Sequence, residues 1–226
     1  MVVPTQRKVF DMTKKIILLA FGVAGVAMFA LPAAASAQEI HLEGVTSFQG
    51  TAGASTFTAE TEPVITCESA DVEGTVSAGG TTGNITFDFT GCHIEPIKGF
   101  TWKCRTGGSP LANTIKWSGT IHFITISSGK PGVLVTPLAT TIVCENTTNT
   151  IISGNVIGTI TSPACGTESM ELTTKFNSTG AVQEHKSYTG STFTLTSKTG
   201  ENAPKNAGFT SISLTKSATF GKLNCT

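Results

Sequence analysis

The chain has 226 residues with fifteen basic and fifteen acidic side chains, only 13% charged residues overall, 24 glycines and six cysteines. Charge this sparse and even lacks the clustered Lys and Arg that nucleic acid or an anionic lipid surface requires, so neither is expected as a partner.

At the N-terminus Arg7, Lys8, Lys14 and Lys15 lead into an uncharged stretch from Ile16 to Leu31, followed by Pro32 and "AAASAQ". This layout reads as a secretory signal peptide over residues 1–37, with Ala35-Ser36-Ala37 as the cleavage site and Gln38 as the new N-terminus. A retained membrane anchor would use the same apolar stretch, but the small residues directly after it favour cleavage. Either Met1 or Met12 could start such a leader. Without residues 1–37 the chain keeps eleven basic and fourteen acidic residues, a net charge of −3. The remaining 38–226 segment is long enough for one sizeable core or two small ones.

Strands follow from period-two alternation, in which residues two apart share a face. In chain order, Ile85, Phe87 and Phe89 alternate with Thr86 and Asp88, and Phe100, Trp102 and Cys104 with Thr101 and Lys103. Ile121-His122-Phe123-Ile124-Thr125-Ile126 is apolar on both faces, which predicts a strand covered on both sides. Met170, Leu172 and Phe176, then Phe193 and Leu195, then Ile212 and Leu214, each alternate with polar residues and predict a half-buried strand with the apolar set inward. Gly- and Pro-rich turns such as "AGGTTG" from Ala78 and "SSGKPG" from Ser127 separate these runs. The expected fold is all-β: an antiparallel β-sandwich or barrel-like domain of about a dozen short, disulfide-stapled strands. "VITCESADVEGTVSAG" from Val64 and "TIVCENTTNTIISGNVIG" from Thr141 echo each other, which raises two similar halves, about 55–130 and 131–226.

An even cysteine count behind an export signal predicts disulfides, although six cysteines permit 15 connectivities. Pro96-Ile97-Lys98-Gly99 can turn the chain so that Cys92 and Cys104 face each other on neighbouring strands, and that bridge is expected. Cys144–Cys165 and Cys67–Cys225 are the expected remainder. A metal site built on Cys92, His93, Glu95 and Cys104 lacks the tight ligand pair of structural zinc centres, and Cys-x-x-Cys redox spacing is absent. No metal or other cofactor is therefore expected.

For catalysis the sequence offers His93, Glu95 and His122 as the nameable candidates for a hydrolase assembled from distant loops. His41-Leu42-Glu43 and His93-Ile94-Glu95 each place an imidazole and a carboxylate on one strand face, more often a wet polar pair than a site. No nucleophile elbow occurs. His122, inside the doubly apolar run, reads as a core histidine. Trp102, in phase with Cys104, reads as core, whereas Trp117 and Tyr188, near turns, are the aromatic pair that a glycan-binding role would expose.

The signal peptide, "VITC", "FDFTGC" and "WKCRTGGSP" together resemble secreted, cysteine-containing all-β proteins of soil actinobacteria, over about residues 55–165. The resemblance implies an exported bacterial β domain and carries no activity or binding residue with it. The resulting expectation is a non-enzymatic structural, adhesive or binding module, secreted or in the cell envelope, whose partner would be an envelope or extracellular glycan or protein.

Overall fold

The computed structural model describes residues 40–60, 62–111, 113–126, 129–185, 187–188 and 191–225. The leader expected over residues 1–37 lies outside these residues. Eighteen antiparallel strands are present among them, and they join into eight long staves that run up and down in chain order.

The first stave is β1 (Ile40–Glu43), β2 (Ser47–Ala52) and β3 (Ser55–Ala59). The second is β4 (Ile65–Cys67) and β5 (Ser69–Val76), and the third β6 (Thr82–Thr90) and β7 (His93–Ile97). The fourth is β8 (Phe100–Thr106) and β9 (Ile115–Thr125), joined by a loop. β10 (Pro131–Cys144) and β11 (Thr150–Ser162) are the fifth and sixth. The seventh starts with β12 (Glu168–Phe176). It then leaves the wall for two small hairpins, β13 (Ser178–Thr179) with β14 (Val182–Gln183) and β15 (Ser187–Tyr188) with β16 (Ser191–Thr192), and resumes as β17 (Leu195–Thr199). β18 (Lys205–Cys225) is the eighth. Bulges and turns break the staves, which is why there are more strands than the sequence pattern alone counts.

The sheet closes on itself. One circuit runs β18–β3–β4–β7–β8–β10–β11–β17–β18, and a second runs β18–β2–β5–β6–β9–β10–β11–β12–β18. Two eight-strand rings thus share β10, β11 and β18, and the expected sandwich-or-barrel class resolves to a barrel. Closure pairs the backbone of each stave on both sides, which removes the exposed edges an open sheet must protect.

Inside, Phe57, Phe87, Phe89, Trp117, Phe176 and Phe209 are buried and pack mostly edge to face, with Trp117 and Phe209 centroids 4.9 Å apart. β18 reverses its expected orientation. Ile212 and Leu214 point outward and are exposed, while Ser211, Ser213, Thr215 and Ser217 face inward and are buried. Small inward side chains here leave room for the large rings of the other staves, a volume match that period-two alternation cannot express. The hydroxyls of Ser211 and Thr215 are bonded: Ser211 Oγ accepts from the Ser55 hydroxyl at 2.9 Å, and the Thr215 hydroxyl donates to the Leu172 carbonyl.

β9 behaves as its doubly apolar sequence predicts. Ile121 and Phe123 join the barrel core. Ile124 and Ile126 form a second cluster on the outer wall with Leu134 and Ile157, against which Phe193 of the β12–β17 excursion packs. His122 departs from the core position expected of it, because it lies half-buried on the outward face, in register between Thr82 and Leu134.

Candidate binding site at the barrel mouth

The up-and-down path sorts the turns into two ends. The far end carries the β5–β6, β9–β10 and β11–β12 turns. There β1 reaches toward β9 of a non-adjacent stave, the Leu42 amide bonds to the Gly80 carbonyl at 2.8 Å, and Ile40, Leu42, Val45 and Leu223 are buried. An apolar crevice of about 20 Å³ remains beside Leu42 and Phe48, room for a single water at most.

The other end is the mouth, and cysteines set its shape. Cys67, Cys92, Cys104 and Cys144 stand abreast on neighbouring strands. Thr66 pairs with His93, one step from Cys67 and Cys92, and Cys104 pairs with Cys144. The bridges are Cys67–Cys92 and Cys104–Cys144, each with Cα atoms 4.0 Å apart. The expected Cys92–Cys104 bridge is therefore corrected. These two are neighbours, with the Cys104 amide donating to the Cys92 carbonyl at 2.8 Å. In antiparallel pairs the side chains of hydrogen-bonded neighbours lie farther apart than those of non-bonded ones. Cys92 has a cysteine on each side and bridges to the closer, Cys67.

The other two expected pairs fail for a simpler reason. Cys67 and Cys144 are at the mouth, while Cys165 and Cys225 are at the far end, roughly 40 Å away along a thirteen-residue strand such as β11. Cys165 pairs with Cys225 instead, with Cα atoms 5.6 Å apart. All six cysteines are bridged, which fits an oxidising extracellular compartment. No helix among the described residues is long and apolar enough to cross a membrane.

On the turn side of the cysteine row, where Ile65 and Ile94 lie nearer the mouth than Cys67 and Cys92, a pocket of about 140 Å³ opens. Six strands of the mouth circuit line it: β3, β4, β7, β10, β11 and β17. Its walls are Phe57, Ile65, Ile94 and Ile152, all core residues with relative exposure of 6% or less. Its rim is Glu62, Pro63, Thr147, Thr148, Thr150 and Thr199. The rim hydroxyls bond within the protein: Thr147 donates to the Cys144 carbonyl at 3.0 Å, and Thr150 and Thr199 bond to each other at 2.9 Å. At the same end Val64, Ile97 and Phe100 are exposed, the last two facing each other across the β7–β8 turn. Apolar walls of this kind desolvate a ligand, as binding pockets in barrel mouths do. Two larger concavities, of about 620 and 640 Å³, lie on the outer wall and share Gln49, Glu73, Thr86 and Lys216. They are open polar troughs in which Lys216 already pairs with Glu171 at 2.7 Å, and they offer little apolar enclosure.

The residues singled out as catalytic candidates do not meet in a pocket: His93 and Glu95 share the outward face of β7, and His122 is on β9. His93 Nδ1 bonds to the Gly91 carbonyl at 2.9 Å, and Glu95 accepts from the Gly99 amide at 2.7 Å, closing the β7–β8 turn. His122 lies toward the far end of β9, where that strand pairs with the start of β10. His41 and Glu43 share the outward face of β1, and His41 Nδ1 bonds to the Gly79 carbonyl at 3.0 Å. None of these five side chains lines a pocket described above. Among the described residues no group of three or more His, Cys, Asp or Glu side chains is placed to hold a metal ion.

Both tryptophans exchange their expected places. Trp117, expected outside, is in the core, because β9 alternates from Ile115 and Trp117 inward; this removes the glycan platform it was to form with Tyr188, which lies on β15 in the excursion. Trp102, expected in the core, is only half-buried, because the β7–β8 hairpin carries it to the mouth. The pocket itself was missed in the sequence. Its signal was the set of strand-end apolar residues beside cysteines, Ile65 before Cys67 and Ile94 after Cys92, which periodicity assigns simply to core. No protein-family model matches the chain, and no curated protein or solved structure does either.

Proposed function

We propose that the chain is an exported, non-enzymatic binding module that works at or outside a bacterial cell envelope, with the barrel mouth as its binding surface. The observation that carries this reading is the axial pocket, whose apolar walls are held by two bridges side by side. A fully paired barrel with every cysteine bridged is suited to a compartment without thiol reductants or chaperone rescue. The leader-like N-terminus supports export, and the outward Thr, Ser, Lys and Glu of the staves suit an aqueous surface. The hydrolase alternative loses its basis because His93, Glu95 and His122 line no common pocket.

Export is tested by expressing the full chain in an actinobacterial host and measuring the intact mass of the secreted protein before and after reduction and alkylation. The expected species starts at Gln38 and takes up alkylating reagent only after reduction, with Cys67–Cys92, Cys104–Cys144 and Cys165–Cys225 peptides in a non-reduced digest. A protein that stays in the cytoplasm with alkylatable thiols would sink the reading.

A further inference from the structure

We propose that the mouth pocket takes a compact apolar group that carries a positive charge, an aryl- or alkyl-ammonium, with the Glu62 carboxylate as its counter-ion. The assignment rests on the mouth being a binding surface and adds the chemistry of what binds there.

Size sets the apolar part. A volume of about 140 Å³ is close to that of an apolar cavity that accepts benzene. It is too small for a sugar ring with its hydroxyls hydrated, and its walls, Phe57, Ile65, Ile94 and Ile152, present no polar atoms to such hydroxyls. A single aromatic ring or branched aliphatic group fits the space and removes both its own surface and the pocket's from water.

The rim sets the charge. The Thr147, Thr150 and Thr199 hydroxyls are already bonded within the protein, which leaves Glu62 as the ionisable side chain among the lining residues. A carboxylate beside apolar walls favours a cation and disfavours an anion, since a ligand carboxylate would meet it with like charge in a partly desolvated place. Lys205 lines, with Glu62, an adjoining open groove of about 550 Å³. An ion pair in so open a groove is weak, and Lys205 does not line the apolar pocket.

The test is an NMR titration of the full exported protein with three probes of one shape: benzylammonium, benzyl alcohol and benzoate. Benzylammonium is expected to move the Ile65, Ile94 and Ile152 methyl signals and to saturate with a dissociation constant on the order of 1 mM, the range open to a ligand of this few atoms. Benzoate is expected to bind about fivefold or more weakly, the worth of one exposed ion pair. Glu62→Gln should make benzylammonium and benzyl alcohol equal. Ala59, on β3 with Phe57, also lines the pocket. Ala59→Trp and Thr148→Trp, which fill the pocket from its wall and its rim, should each abolish the shifts while the Trp117 and Phe209 signals keep their positions. If benzylammonium binds wild type no better than benzyl alcohol, the cationic assignment is overturned and the pocket stands. If no probe moves those methyls, the binding reading of the mouth falls with it.

Discussion

The two ends of the barrel are built from the same staves and finish differently. At the far end the first stave reaches over the β5–β6 turn, apolar side chains from β1 and β18 meet, and about 20 Å³ of crevice is left. At the mouth four neighbouring strands carry cysteines at buried positions, and about 140 Å³ stays open between them and the turns, walled by Phe57, Ile65, Ile94 and Ile152. Sulfur bridges hold adjacent strands without filling the axis, so a barrel stapled at its mouth keeps both its wall and its pocket. Packing by large rings gives the wall by consuming the space.

The sharpest way to break this contrast is to hollow the packed middle. Trp117→Ala removes a fully buried ring and is expected to cost about 4.5 kcal/mol in chemical denaturation, whereas Trp117→Phe should cost only about 1 kcal/mol, because the buried indole N–H has no hydrogen-bond acceptor to lose. Equal losses would mean that this nitrogen carries an interaction the packing does not reveal.

Removing the staples compares the ends directly. The Cys165→Ala/Cys225→Ala pair opens a loop of sequence separation 60 and should cost about 4 kcal/mol on the chain-entropy model. Amide exchange should rise in β1 and the end of β18. The Cys67→Ala/Cys92→Ala pair, with separation 25, should cost about 3.5 kcal/mol, with faster exchange confined to β4 and β7. A global loss of protection in the second variant would mean that the mouth, not the aromatic middle, holds the barrel together.

The smallest effects test the reversed face of β18. Ser213→Leu forces a large side chain into a filled interior and should cost about 2 kcal/mol. Leu214→Ser changes an outward, exposed position and should stay within about 0.5 kcal/mol. The opposite order in thermal unfolding would return the apolar face of this strand to the core.

Legibility in the sequence followed how local each signal is. Alternation placed Phe87 and Phe89 inward and gave β9 its two apolar faces, since each strand's pleat decides those directions alone. It failed at Ile212 and Leu214, where the facing aromatics decided which set of side chains fits inside. The spacing of Cys92 and Cys104 around a turn correctly made them neighbours, yet their bridges go elsewhere, because each has a second cysteine neighbour supplied by a distant strand.

What the amino-acid sequence determined by itself is the β class, the positions of β6, β8, β9, β12, β17 and β18, the doubly covered β9 and the commitment of the cysteines to disulfides. These depend on period-two alternation, turn residues and cysteine count, all carried within a few residues. The tertiary structure alone decided closure into a barrel, the partners of the cysteines, the reversed face of β18 and the pocket at the mouth. Those depend on register between strands far apart in the chain and on the volume left when their side chains meet, and neither quantity exists until the sheet has closed.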